Sequence, residues 1–237
     1  MAKSALVTGG SGAVGSAIVR RLRREGLNVA FSYRAHGGEA EALAAETGAV
    51  AIQADVLKRA EVAALVSRTV ERFGAVDVLV NNVGLTQIMP FALIEEEDWD
   101  RVLAVNLKTM FLVTHEVVRG MIARSSGCIV NIGSLAGHRL LDVPVHYATA
   151  KAGVTGFTLS LAKELARYGI RVNAVVPGLL DEGVGRMVPE KEVTEYVRHC
   201  AAGRPGHTAE VAEAVAFLVS DGASYINAQS IFVDGGL

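Results

Sequence analysis

Two hydroxyl side chains and a lysine in the second half of the chain have the types and spacing of an acid/base site. Tyr147 and Lys151 are four residues apart, which on a helix places them on one face, one turn apart. A free tyrosine has a pKa of about 10. We expect the nearby ammonium to lower that pKa by favouring the phenolate, so that Tyr147 can exchange a proton with a substrate oxygen.

Ser134 and Asn106 extend this candidate site. Ser134 precedes Tyr147 by thirteen residues and follows an apolar run, and its hydroxyl can donate to a substrate carbonyl and stabilise the developing oxyanion. Asn106 interrupts an apolar helical pattern, an unfavourable position for this residue type. It either competes for backbone hydrogen bonds or holds a water for proton relay, and the pattern supports both interpretations equally. A lone Tyr-x-x-x-Lys also describes an ordinary surface pair on a helix, but Ser134 at this spacing favours the site.

A glycine-rich turn near the N-terminus carries the pattern Gly10-x-Gly12-x-x-Gly15. Such a turn lets the backbone approach a pyrophosphate at the positive end of a helix. An ordinary turn is the alternative, but the position between the first apolar run and the first helical pattern favours dinucleotide binding. The predicted cofactor contacts in this loop are Gly9, Gly10, Ser11, Gly12, Ala13 and Val14.

The end of the second apolar run indicates which dinucleotide is bound. An acid there would accept hydrogen bonds from the ribose 2′-hydroxyl of NAD, whereas this chain has Tyr33 and Arg34. The guanidinium of Arg34 can make a forked, charge-assisted contact with the 2′-phosphate of NADP. A solvated surface arginine is the alternative. The sequence therefore predicts NADPH/NADP⁺ as cofactor.

Further candidate cofactor contacts follow other apolar runs at points where strands of a parallel sheet would end. Each could be turn chemistry alone, but together they outline one crevice at the carboxyl edge of the sheet. They are Asp55 and Val56, where the adenine is expected, then Asn82, Val83 and Gly84, and finally Pro177, Gly178 and Leu180.

The whole chain has the composition of a globular enzyme. Of 237 residues, 51% are apolar and 20% charged, and the formal net charge is −2. This charge favours neither a nucleic acid nor an anionic membrane as partner. No apolar stretch approaches the roughly 20 residues needed to span a bilayer. Only two cysteines are present, so we expect a reducing, cytoplasmic setting.

Short apolar runs alternate with helical patterns along the chain, which predicts an α/β fold. Nearly continuous apolar runs are typical of parallel strands covered on both faces, so we expect one doubly wound Rossmann-type domain over residues 1–237. Residues 179–206 are irregular, and we interpret them as a substrate lid. Strands are predicted at 4–7, 29–32, 49–52, 76–80, 128–132, 170–176 and 230–233, and helices at 14–24, 38–46, 58–73, 96–123, 147–168 and 208–220.

Over essentially its full length the chain resembles the classical short-chain dehydrogenase/reductase family. The motifs are Thr8–Gly15, Asn81–Gly84, the helical asparagine, the serine, Tyr-x-x-x-Lys and Val233–Gly236. Ala13 and Val83 depart from the family pattern, where glycine and alanine are usual. The resemblance implies a seven-stranded sheet of order 3-2-1-4-5-6-7 and a homotetramer built through paired long helices and the C-terminal strand. It also implies that Tyr147 and Lys151 lie against the cofactor.

Within this family the chain is most similar to the β-ketoacyl-carrier-protein reductases. This implies NADPH-dependent reduction of a β-ketoacyl thioester, held on an acyl carrier protein, in fatty-acid or polyketide biosynthesis. Glu182 lies near the position of the usual lid threonine, while Cys128 and Tyr168 lie where carrier-docking arginines are usual. A reductase or dehydrogenase for a small free ketone, sugar or alcohol is the alternative enzyme. A non-catalytic cofactor-binding sensor is the alternative of another class.

Overall fold

Seven parallel strands form the centre of the molecule, which a computed structural model describes for residues 2–237. All neighbouring strands are parallel, in the order β3-β2-β1-β4-β5-β6-β7, which confirms the predicted fold and strand order. The strands are β1 (Ser4–Val7), β2 (Asn28–Tyr33), β3 (Val50–Gln53), β4 (Val78–Asn81), β5 (Gly127–Ile132), β6 (Ile170–Pro177) and β7 (Ser230–Val233).

Helices cover both faces of the sheet, because strand residues alternate between two buried cores. In β1, Ala5 and Val7 pack on one face with α1, α2 and α8, while Leu6 packs on the other with α3, α5 and α6. The helices are α1 (Ala13–Arg24), α2 (Gly37–Thr47), α3 (Arg59–Phe73), α4 (Glu96–Leu103), α5 (Thr109–Arg124), α6 (Val145–Leu165), α7 (Glu190–His199) and α8 (Thr208–Val219). None of these helices is long and apolar enough to cross a membrane.

Two stretches differ from the sequence-based expectation. The single helix predicted for 96–123 is divided into α4 and α5 by a π-helical turn at Ala104–Lys108. Such single-turn insertions occur frequently at functional sites. The predicted irregular lid contains α7, a helix of ten mostly polar residues, none of which is buried.

Buried polar side chains connect the middle of the sheet to α5 and α6. Asn81 Nδ2 donates to Thr114 Oγ1 and to Asn131 Oδ1, both at 2.9 Å, and Asn131 Nδ2 donates to Thr158 Oγ1 at 2.9 Å. All four residues are buried. Because a buried donor left unpaired is costly, this network favours one register between β5 and α6, the two elements that position the candidate reacting groups.

Candidate active site

A cleft of about 1030 Å³ lies at the carboxyl edge of the sheet. Except for Gly10 and Asn106, every residue predicted from the sequence to belong to the site lines this cleft. Residues from separate strand ends and helix starts therefore meet in one concave surface, as expected for an open α/β sheet.

The glycine-rich turn leaves space beside the N-terminus of α1. A Cβ at Gly15 would collide with the carbonyl oxygen of Gly9, and Gly9 itself has φ +63°, in the left-handed region. Gly10, predicted to contact the cofactor, instead packs against the side chain of Phe31 in β2 and does not line the cleft. Its role in this structure is to let the turn approach the sheet.

Hydrogen bonds from neighbouring strands hold this turn in place. Asn82 Nδ2 donates to the carbonyl oxygens of Thr8 and Gly9 at 3.0 and 3.1 Å, and the Gly9 amide donates to Ser32 Oγ at 3.1 Å. α1 begins after Gly12 with no side-chain cap and no acidic residue in its first turn. Its first amide groups are therefore available to an anion, which fits the pyrophosphate of a dinucleotide.

Arg34 follows β2 at the same end of the cleft. Its side chain is exposed, and within residues 2–237 it makes no ion pair or side-chain hydrogen bond. Asp55 lies nearby after β3, where its Oδ1 accepts the amide of Leu57 at 3.1 Å in a tight turn. The guanidinium is thus free to contact a ligand phosphate.

Ser134, Tyr147 and Lys151 come together where β5 ends and α6 begins. The Ser134 hydroxyl lies close enough to Tyr147 to lower the pKa of that phenol in part, and its Oγ accepts the amide of Ala136 at 3.2 Å. Lys151 Nζ donates to the carbonyl oxygen of Ile132 at 3.0 Å and lies 5.8 Å from the centroid of the Tyr147 ring. Two hydroxyl groups and one ammonium therefore share a wall of the cleft.

The environment of these groups shifts their pKa values in ways that the spacing did not predict. Burial raises the pKa of Tyr147, and the Ser134 hydroxyl lowers it only in part. Burial also lowers the pKa of Lys151 to about 8. The expected lowering by Lys151 is therefore not seen in the protein alone, where loss of hydration around the phenolate has the largest effect on this pKa. At neutral pH, Tyr147 is protonated and able to act as an acid.

Asn106 lies behind the cleft, buried in the π-helical turn. Its Nδ2 donates to the carbonyl oxygens of Leu85 and Val102 at 2.7 and 2.8 Å, and the amide of Leu85 donates to its Oδ1 at 3.3 Å. These bonds agree with the first of the two interpretations, competition for backbone hydrogen bonds, and the proton relay stays a prediction. A Cβ on Gly84 would lie 3.1 Å from Asn106 Oδ1 and 3.4 Å from Lys151 Nζ, so this glycine keeps the space between the two side chains open.

The opposite wall of the cleft consists of residues that sequence reasoning missed. They come from α4, from the segment before α6, from the lid and from the C-terminus, where no motif marks them. The only sequence signal for any of them is the spacing of Glu192, Tyr196 and His199, which would place these three residues on one face of a helix. The additional lining residues include Arg101, Arg139, Leu140, Leu141, Val143, Val184, Val188, Glu192, Tyr196, His199 and Leu237.

The two ends of the lid are joined to each other, and α7 is joined to the segment after β7. Leu180 and Gly206 form a short parallel bridge, and Tyr196 Oη donates to the carbonyl oxygen of Asp234 at 2.9 Å. Glu182, near the position of the usual threonine, accepts a 3.5 Å hydrogen bond from the hydroxyl of Thr208. The segment between these attachments forms one side of the cleft.

Comparisons with known proteins agree with this geometry. A family model described as "Enoyl-(Acyl carrier protein) reductase" matches residues 10–237. The chain is 39% identical to the 3-oxoacyl-[acyl-carrier-protein] reductase FabG of Staphylococcus epidermidis, covering 100% of this chain and 99% of that protein. It is also 39% identical to the acetoacetyl-CoA reductase of Shinella zoogloeoides, covering 100% and 98%.

A solved structure has the same fold. A variant of actinorhodin polyketide ketoreductase with NADPH superposes with a TM-score of 0.93 at 38% identity, covering 100% of this chain and 97% of that chain. Fold, cleft and relatives together define an oxidoreductase that binds a nicotinamide cofactor. The chain belongs to the short-chain dehydrogenase/reductase family.

Proposed function

We propose that this protein uses NADPH to reduce the ketone of a β-ketoacyl thioester, carried on an acyl carrier protein, to the β-hydroxyacyl thioester. The observation that carries the proposal is the grouping of Ser134, Tyr147 and Lys151 in the same cleft as the glycine-rich turn. The names of the similar proteins support a ketoacyl substrate.

The residues of the chain have separate tasks in this reaction. When bound, the nicotinamide supplies the hydride. Ser134 holds the substrate carbonyl oxygen and stabilises the charge that develops on it. Tyr147 donates its hydroxyl proton to that oxygen, as its raised pKa allows. Lys151, charged below a pH of about 8, favours the phenolate left behind and reaches toward the nicotinamide ribose.

A second candidate is reduction of a ketone that is not attached to a carrier protein. Cys128, at the position of one usual docking arginine, is buried within β5 and cannot contact a partner. Arg139 is stacked 5.0 Å from the ring centroid of Phe232, and Arg167 lies 4.9 Å from that of Tyr168. Neither arginine makes an ion pair within residues 2–237. Replacing them would therefore test whether a carrier protein docks through these two side chains.

A substrate panel separates these functions. We expect steady NADPH oxidation with an acetoacetyl thioester on acyl carrier protein, and slower oxidation with acetoacetyl-CoA and with small free ketones. Faster turnover of a free ketone would favour the second candidate. An absence of turnover with every ketone, despite NADPH binding, would instead favour the cofactor-binding sensor.

Replacement of Arg34 should reveal the cofactor preference. Arg34→Ala should weaken NADPH binding by about 1.5–3 kcal/mol, or roughly 10- to 150-fold, because a charge-assisted contact with the 2′-phosphate is lost. NADH binding should hardly change. Fluorescence titration with each cofactor measures both effects, and Arg68→Ala on the exposed face of α3 is the matched control. Equal affinity of the parent protein for NADPH and NADH would contradict the proposed preference.

We also infer that residues 179–206 close over the bound cofactor as a lid. The segment lines the cleft, its two ends are joined by the Leu180–Gly206 bridge, and its residues 196–202 bond to residues 234–236. NADPH should therefore slow amide hydrogen exchange most strongly between these attachments. Equal exchange with and without NADPH would contradict a closing lid.

We infer a homotetramer in solution. A groove of about 960 Å³ runs between α6 on one side and α4, the π-helical turn and the start of α5 on the other, and apolar side chains that are partly exposed line it. Contiguous exposed apolar surface of this kind is typical of an interface. Its lining includes Leu103, Leu107, Phe111, Phe157 and Leu161. Sedimentation equilibrium should give four times the 24.9 kDa chain mass, and a monomer at micromolar concentration would contradict the inference.

A further inference from the structure

His146, directly before Tyr147, is a fully buried residue that the proposed reaction does not use. It lies in the first turn of α6, where backbone amides have no helical partner. The amide of Tyr147 donates to His146 Nδ1 at 2.9 Å. The imidazole thus satisfies the backbone of the residue whose side chain is the candidate proton donor.

This hydrogen bond determines the protonation state of the ring. A nitrogen that accepts a hydrogen bond carries no proton, so a neutral His146 must carry its proton on Nε2. Nε2 is buried and has no hydrogen-bond partner within residues 2–237. A second proton could bind only at Nδ1, where it would break the bond to the Tyr147 amide.

Burial opposes protonation of His146 more than the nearby charge favours it. Burial lowers the pKa of His146, and Asp98 on the neighbouring α4 raises it only in part. Asp98 Oδ1 already accepts a 2.7 Å hydrogen bond from Gln87 Nε2. The positive end of the α6 dipole also disfavours a cation in the first turn. No other charged residue described in 2–237 shifts the pKa of this imidazole.

We propose that His146 is a positioning residue for Tyr147 and holds the first turn of α6 only while its imidazole is neutral. This inference rests on the proposed function, since it concerns the orientation of the proton donor. His146 is neutral above its lowered pKa, so turnover is retained there. As the pH falls through that pKa, Nδ1 gains a proton, the turn loosens and kcat falls.

Two substitutions test the proposal through pH profiles of kcat and KM. Asparagine can accept the same amide through its side-chain oxygen but does not titrate, so His146→Asn should keep kcat near neutral pH and lose the fall on the acid side. His146→Leu should lower kcat by about 3- to 10-fold at every pH, the scale of one lost hydrogen bond. The Kd for NADPH should stay within about 2-fold of the parent value in both variants, because neither substitution replaces a residue that is proposed to contact the cofactor.

The pattern of these results decides the proposal. An acid-side fall of kcat that His146→Asn leaves unchanged would overturn it, as would a fully active His146→Leu. Circular dichroism and NADPH binding show whether each variant is folded. If His146→Leu does not fold, the comparison between the parent and His146→Asn still decides the outcome.

A spectroscopic measurement separates this proposal from the proposed function. Long-range ¹H–¹⁵N NMR distinguishes the tautomers of the six histidines, and the signal missing in His146→Asn identifies this ring. We expect a neutral ring with the proton on Nε2 at pH 7. A protonated ring, or a proton on Nδ1, would overturn the proposal. If the parent protein reduces no ketone, the proposed function fails while the NMR result still stands on its own.

Discussion

Tyr147→Phe should fold and bind NADPH normally but reduce its ketone at least 10²- to 10⁴-fold more slowly, the scale of losing a general acid. The substitution removes one hydroxyl and keeps the ring that faces Lys151 at 5.8 Å. Burial keeps the parent hydroxyl protonated at neutral pH, so the proton that is lost is the one the reaction needs. Single-turnover oxidation of bound NADPH measures this step directly.

The matched control is Tyr225→Phe, since Tyr225 is fully exposed and does not line the cleft. It should have the parental rate. Circular dichroism and NADPH titration distinguish a lost proton donor from a damaged fold. A near-parental rate for Tyr147→Phe would show that another group supplies the proton and that the proposed mechanism is wrong.

Ser134→Ala should lower turnover by roughly 10²- to 10³-fold, as expected when an oxyanion donor is removed. NADPH binding should change little, because the serine is assigned to the substrate oxygen. The hydroxyl that lowers the pKa of Tyr147 in part is also lost. The basic side of the pH profile should therefore move upward, since Tyr147 stays protonated to a higher pH. Single-turnover rates across pH measure both effects.

Ser67→Ala is the control for this second substitution, because Ser67 bonds only to Glu71 on the exposed face of α3. The double variant Ser134→Ala/Tyr147→Phe adds a further test. Groups that act together are strongly non-additive, so the double variant should be little slower than Tyr147→Phe alone. Fully additive losses would mean that the two hydroxyls act independently.

The cleft also shows why several of its lining residues were hard to predict from the sequence, although the lid itself was expected. Val184 and Val188 in the lid and Leu140 before α6 line the same space, although they are far apart in the sequence and share no motif. Their contribution depends on the Leu180–Gly206 bridge, which turns the chain after β6. A bridge of one residue pair leaves no period in the sequence.

The sequence by itself determined the strands, the glycine-rich turn and the residues of the proposed reaction. A strand with a nearly continuous apolar run must be buried on both of its faces. Such a run can be recognised directly from the order of residue types. The motif Gly10-x-Gly12-x-x-Gly15 and the spacing of Tyr147 and Lys151 report local geometry in the same way. Gly10 lies against Phe31 and does not line the cleft, which the motif alone does not reveal.

The tertiary structure alone decided the direction of the pKa shifts, the π-helical turn and the position of His146. The pKa of Tyr147 is raised because distant segments remove water from its hydroxyl, and no spacing along the chain measures that loss. Asn106 is held by the backbone of Leu85 from another element. His146 is buried and accepts the Tyr147 amide only in the folded protein, where Asp98 of α4 lies close enough to influence its pKa. Each of these depends on contacts between residues that the fold brings together.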